Sequence, residues 1–226
     1  MVNKQIYFLW ATVRPDMFLE TYKIWINNQI VNTEIITMVA VATKEQKDKI
    51  DSFNLNRCFV TLVDKQVGYN YAITQLTKIL NVNDNDIIIT VTDDFQAPLG
   101  WDRFILEKYE NFDGALFLDD GYQDVNVKKG ELCITLGCLT FSALKKVNRF
   151  VFHPAYNHYF SDNECYHNFE EMGILLDTRD VDNMKFSHKK GTREKDEYDK
   201  RYMTWWKEDK DTYYNRCKLS LKERLE

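Results

Sequence analysis

Two adjacent aspartates close an apolar run, Asp86-Ile87-Ile88-Ile89-Thr90-Val91-Thr92-Asp93-Asp94-Phe95. Neighbouring carboxylates repel each other, and a cation or a hydrogen-bonded ligand relieves that repulsion. Hard divalent ions take carboxylate oxygens and share phosphate oxygens, which makes Asp93 and Asp94 candidates for an ion site. A solvated turn or helix cap would read the same way. A second acidic group, Ser161-Asp162-Asn163-Glu164, follows the aromatic stretch His153-Pro154-Ala155-Tyr156-Asn157-His158-Tyr159-Phe160. A carboxylate among aromatic side chains can serve as a general base. The same residues also read as a helix N-cap at Asp162 with an acidic first turn. His188 lies in Phe186-Ser187-His188-Lys189-Lys190-Gly191, and is one of 4 histidines. Its imidazole could complete a metal shell begun by carboxylates, and suits Mn2+ better than Mg2+. In Gln66-Val67-Gly68-Tyr69-Asn70, Gly68 permits close approach of a ligand at a helix N-terminus, where anions are favoured. The chain has no GxGxxG and no P-loop, which weighs against dinucleotide-dependent and ATP-hydrolysing chemistry.

The first half alternates strand-like and helix-like runs. Strands are predicted at 6–13, 34–41, 58–63, 86–91 and 115–118. Helices are predicted at 15–25, opened by Pro15, and at 44–53, 68–80 and 101–109. This alternation predicts an α/β fold with a mostly parallel sheet and helices on both faces. The apolar strands fit burial on both sides. Ligands of such sheets bind beyond the carboxyl ends of the strands. Chemistry is therefore expected at Thr12–Arg14, Ala42–Thr43, Asp64–Gly68 and Thr92–Phe95. The second half predicts a strand at 131–136, helices at 141–147 and 162–172, a strand at 174–176 and a long charged helix at 192–217. The spacing shows no linker, so 1–226 reads as a single domain with a C-terminal helical and irregular extension.

A chain of 226 residues that is 44% hydrophobic can bury one α/β core. The net charge of −5 does not point to nucleic acid. Residues 185–226 nevertheless hold 13 Lys/Arg and 9 Asp/Glu, a basic tail of +4 on a body of −9. That tail either meets phosphates or is a solvated helix. The five cysteines include no CxxC pair, which gives no zinc or thioredoxin signal, and their odd number suits a reducing compartment. No apolar run reaches membrane-spanning length and the N-terminus lacks signal-peptide layout, so a cytoplasmic protein is expected. The Lys/Asn/Ile-rich style is that of an AT-rich genome, such as a phage's.

Taken in order, several segments resemble the family-2-like GT-A glycosyltransferases. Ala11-Thr12-Val13-Arg14-Pro15 with Trp25 resembles that family's opening strand and helix. Val67-Gly68-Tyr69-Asn70-Tyr71-Ala72 resembles its segment near the donor nucleotide. Asp86 to Phe95 resembles the strand entering the DXD motif, with Thr92 in place of the first aspartate, and Pro98-Leu99-Gly100-Trp101-Asp102 follows. Tyr156 to Glu164 resembles the acceptor-side acidic motif, and His188 stands where the family often places a C-terminal metal ligand. The resemblance implies a GT-A, Rossmann-like fold, with 1–120 as the nucleotide-sugar half and 121–226 as the acceptor-side half. It implies a nucleotide-sugar donor, UDP-sugar favoured, contacted by Thr12, Arg14, Thr43, Gly68, Asn70, Thr92 and Asp93. It implies Mn2+ or Mg2+ on Asp94 and His188, a base at Asp162 or Glu164, and acceptor contacts at Trp101, Asp120, Tyr156 and His158. Lys and Arg residues of 185–201 would help neutralise the diphosphate and order as a lid. The acceptor would be a glycan, a lipid or a hydroxymethylated base in DNA, and the sugar a hexose or pentose, transferred with inversion. A non-catalytic binding module on the same fold and a metal-dependent hydrolase are the competing readings.

Overall fold

The computed structural model describes residues 4–63, 68–121, 123, 132–188 and 197–226, with residues 188 and 197–203 described by their backbone alone. In chain order the elements are β1 (Ile6–Ala11), α1 (Pro15–Asn27), β2 (Ile35–Val41), α2 (Lys44–Asp51), β3 (Cys58–Leu62), α3 (Tyr69–Ile79), β4 (Ile87–Val91), β5 (Phe95–Gln96), α4 (Trp101–Lys108) and β6 (Ala115–Phe117). They continue as β7 (Cys138–Thr140), α5 (Phe141–Lys146), α6 (Ser161–Glu171), β8 (Leu175–Asp177), β9 (Ser187–His188), α7 (Glu197–Arg216) and α8 (Leu221–Arg224).

A seven-stranded sheet runs β3-β2-β1-β4-β7-β6-β8. Its β3-β2-β1-β4 half is parallel throughout. β7 runs antiparallel to both β4 and β6, so β4 and β6 point the same way. The strands come from both halves of the sequence. Their period-2 alternation sorts the core into two layers. Ile6, Phe8 and Trp10 of β1 face the layer with Phe18, Trp25, Ile50, Trp101 and Ile105 from α1, α2 and α4. Leu9 faces the other layer, with Ile73, Leu76, Leu144 and Phe169 from α3, α5 and α6. β4 is buried along its whole length, as a central strand covered on both faces must be.

Two expectations need correction, and two elements were not foreseen. Residues 132–136 form no strand, although Leu132, Ile134 and Leu136 are buried in alternation. Backbone groups there bond elsewhere: Gln123 reads both N–H and C=O of Cys133 at 2.7 and 2.9 Å, and Ile134 N–H donates to the Asp162 carbonyl at 3.0 Å. The ladder position falls instead to β7, which the sequence reading assigned to no element. Asp162 is not an N-cap. That position is Phe160, in the left-handed region at φ 63° without a side-chain cap. The two-stranded ribbon β5–β9 was also unforeseen, because two residues carry no periodicity. The C-terminal helix is α7, and residues 192–196 of its predicted span lie outside the described residues.

Candidate functional site

The parallel sheet reverses its winding between β1 and β4, and the crevice at their carboxyl ends is a topological switch point. Thr12 leaves β1 there and Thr92-Asp93-Asp94 leaves β4. Beyond β4 the chain makes a turn, with the Phe95 N–H donating to the Thr92 carbonyl at 3.3 Å, before β5 begins. Asp93, Phe95 and Ala97 are buried, while Thr92, Asp94 and Gln96 are only partly so. Helix α1 imposes this alternation. Thr21 donates to the Asp93 carbonyl, Trp25 Nε1 to that of Phe95 at 3.0 Å, and Asn28 Nδ2 to that of Ala97 at 2.7 Å.

The two carboxylates therefore separate. Asp93 turns inward, where Trp10 Nε1 and Thr12 Oγ1 donate to it at 2.8 and 2.7 Å. Burial pushes its pKa up to about 7, against the opposing pull of those two hydrogen bonds and of the Arg14 charge. Thr12 Oγ1 also accepts the Arg14 N–H at 2.8 Å. Asp94 turns outward, with Thr92 Oγ1 donating to it at 2.6 Å.

Residues 185–188 run along the same edge of the sheet. Lys185 bridges to Asp119 beyond β6, Phe186 N–H donates to the Asp119 carbonyl at 2.7 Å, and His188 pairs with Phe95. The fully buried Phe186, packed on Trp25 at 5.7 Å between ring centroids, anchors this segment. Asp94 thus immediately precedes β5, whose Phe95 pairs with His188. Among the described residues no three His, Cys, Asp or Glu side chains converge as a metal cage.

Other expected donor-side residues have structural partners. Thr43 caps α2 in a capping box with Gln46. Gly68 heads α3 and faces the backbone of Asn157, whose carbonyl oxygen would lie 2.0 Å from an added Cβ. The close approach it permits is thus to the chain's own loop. Asn70, also buried, donates to the Tyr156 carbonyl at 3.3 Å. Residues 64–67 and 189–196, part of the expected donor loop and lid, lie outside the described residues.

On the acceptor side, Glu164 is buried and occupied. It accepts a bidentate pair from Arg216 at 2.8 and 2.9 Å and the Tyr156 hydroxyl at 2.8 Å. Asp162 is only half-buried, and its Oδ1 accepts the Asn163 N–H at 3.1 Å. Of the two, Asp162 is the more exposed carboxylate. The expected acceptor contacts Trp101 and Tyr156 are corrected to core residues. Trp101 is wholly enclosed between Phe8 and Trp25 and donates to the Trp25 carbonyl, and Tyr156 is buried against Glu164. Asp120 is buried, its oxygens held by Gln123 and by Thr135. His158 is half-buried, and its backbone N–H donates to Asp209.

Asp209 and Arg216 of α7 escaped the sequence reading. Asp209 accepts the N–H groups of Asn157, His158 and Tyr159 at 2.8 Å each, plus Asn157 Nδ2 at 3.2 Å. Their only sequence signal is position. They are seven residues apart, on one face of a helix whose described side chains are otherwise exposed or partly so.

No protein-family model matches this chain, and no curated protein does. Solved structures do. A mannosyltransferase from Pyrobaculum calidifontis, PcManGT in complex with GDP-Man and Mn2+, aligns with a TM-score of 0.59 at 13% identity, over 83% of this chain and 57% of its own. A Drosophila galactosyltransferase 7 mutant, in complex with manganese, UDP-Gal and xylobiose, aligns at 0.56 and 14% identity, over 89% of this chain and 79% of its own.

The fold is of the GT-A type.

A 4-diphosphocytidyl-2C-methyl-D-erythritol synthase also aligns, at 0.52 and 13% identity, over 90% of this chain and 99% of its own. The GT-A fold therefore does not by itself select one chemistry, and function has to be argued from the site. This chain spans little more than half, 57%, of the mannosyltransferase. The comparisons give no support to a phage origin. Among the described residues no helix is long and apolar enough to cross a membrane.

Proposed function

We propose that this chain is a metal-dependent glycosyltransferase, moving a sugar from a nucleotide-diphosphate donor to an acceptor hydroxyl. One observation carries the reading. At the switch point between β1 and β4, the chain turns Asp93 inward and Asp94 outward, beside the segment that ends in His188. The donor's diphosphate belongs at this edge, and Asp94 with His188 would hold a divalent ion against it. Such an ion, when bound, offsets charge growing on the leaving diphosphate. Asp93 holds the ends of β1 and β4 together so that Asp94 keeps its aim. Asp162 takes the acceptor proton, and the acceptor oxygen attacks the anomeric carbon as its bond to the diphosphate breaks, with inversion. UDP-sugars are the favoured donors, with the UDP-Gal complex of one structural neighbour in support and the GDP-Man complex of another making GDP-sugars the next to test.

A second reading, a nucleotide-sugar-binding module without turnover, draws on Thr92 in place of the first DXD aspartate and on Ala42–Thr43 at the end of β2. One experiment addresses both. Nucleoside diphosphate release is measured from a panel of nucleotide sugars with Mn2+, for the wild type and Asp94→Ala. The transferase reading expects Mn2+-dependent release that falls at least about 100-fold in the variant. Unchanged turnover in Asp94→Ala removes the metal assignment. Tight nucleotide binding with no release from any donor supports the binding module. Equal release with and without saccharide acceptors points to hydrolysis.

A further inference from the structure

Helix α7 is polar and mostly exposed over its described side chains, yet one stripe of it is aromatic. Trp206, Lys210, Tyr213 and Tyr214 lie four, seven and eight residues along from the first, on one face. Trp206 is 44% exposed and Tyr214 56% exposed. The stripe meets Phe160, whose ring stacks on Tyr213 at 5.5 Å and 21° and tilts against Trp206 at 6.0 Å. Lys210 Nζ lies 4.7 Å from the Trp206 ring centroid. Phe160 holds a left-handed backbone, φ 63°, which is unusual for a bulky residue and turns its ring toward α7. It stands two residues before Asp162. Along the inner border of the stripe, Asp209 and Arg216 pin α7 to the loop and to α6, so the aromatic face and Asp162 are held in one frame.

We propose that Phe160, Trp206, Tyr213 and Tyr214 form a platform that docks a saccharide acceptor beside Asp162. The inference rests on the glycosyltransferase reading and narrows its acceptor to a glycan. A pyranose ring has an apolar C–H face and a polar rim. The half-exposed rings bury the first, while Lys207, Lys210 and Asp211 on and beside the stripe bond the second. Nucleic acid fits less well. The described α7 side chains carry Lys207, Lys210 and Arg216 against Glu208, Asp209 and Asp211, a balance that tracks no phosphate backbone. A lipid surface would meet charges within one turn of each ring.

The test is saturation-transfer NMR titration of the full chain with xylobiose, cellobiose and maltose. At least one should bind, with Kd at least about tenfold weaker in Trp206→Ala and measurably weaker in Tyr214→Ser. Both side chains are substantially exposed, so truncating them leaves the fold intact. The proposal is overturned if no saccharide binds, or if both variants bind as the wild type does. It is overturned equally if a single-stranded oligonucleotide or phosphatidylcholine vesicles, and no saccharide, bind in a Trp206-dependent way. A separate arm measures the thermal shift with UDP or GDP and Mn2+. Nucleotide binding without saccharide binding overturns the platform alone, whereas saccharide binding without nucleotide binding overturns the transferase reading alone.

Discussion

Arg216 closes on Glu164 across 52 residues of sequence, with Nε to Oε2 at 2.8 Å and Nη2 to Oε1 at 2.9 Å. Glu164 is 2% exposed by side chain and Arg216 14%. A buried pair of this kind adds little over an apolar replacement of both partners, but losing one partner strands a charge. Arg216→Met is expected to destabilise the protein by about 3 kcal/mol or more in urea unfolding. Arg216→Met with Glu164→Gln should recover a good part of that, because Gln still accepts from Tyr156. A cost below about 1 kcal/mol for the single variant would show that α7 does not depend on the pair.

Asp209 supplies the other attachment of α7. Three consecutive backbone N–H groups donate to one buried carboxylate. Asp209→Ala leaves them without an acceptor, at a cost of about 1–3 kcal/mol. The effect should be local. Amide hydrogen exchange at residues 157–159 should accelerate at least about tenfold, while β1 and β4 keep their protection. Uniform acceleration across the sheet would contradict a tether confined to the loop.

Gly68 has φ −77°, a conformation open to any residue, so its requirement is steric alone. An alanine methyl would stand 2.0 Å from the Asn157 carbonyl oxygen and 2.9 Å from its carbon. Backbone cannot swing aside as a flexible side chain can. Gly68→Ala should cost about 2 kcal/mol or more by thermal or urea unfolding. A neutral result would mean that the 150–161 loop yields at no cost.

His153 provides a pH signature. Burial first, and then the Arg216 charge, push its pKa from 6.5 down to about 4. Its Nδ1 accepts the Ala155 N–H at 3.1 Å. Below pH 6.5 the unfolded chain takes up a proton that the folded chain declines until about pH 4. This group's contribution to stability is therefore present at neutral pH and lost as pH falls through that window. His153→Asn keeps an acceptor for Ala155 and removes the titration. Its Tm should drop less between pH 7 and pH 4.5 than the wild type's, and parallel Tm curves would rule His153 out as a contributor.

What the sequence determined by itself was local and periodic. The runs at Ile6, Ile35, Cys58 and Ile87, and the helices between them, carried their own signals of apolar repeat, with Pro15 opening the first helix. With them came the placement of Thr12 and Thr92–Asp94 at the carboxyl ends of buried strands. Tertiary structure decided what depends on partners distant along the chain. Asp93 and Asp94 look alike in the sequence. Only Trp10 and Thr12, more than eighty residues away, make one a buried pin and leave the other outward. Likewise Asp162 and Glu164 look alike in the sequence, and it is Arg216, 52 residues away, that pairs with Glu164 alone. Trp101 read as a ligand contact until Phe8 and Trp25 closed over it. β7 went unassigned because three residues carry no period, and β4 and β6 supply the hydrogen bonds that make it a strand. Short-range patterns specify elements, but the environment of a charge is set by whatever the fold brings against it.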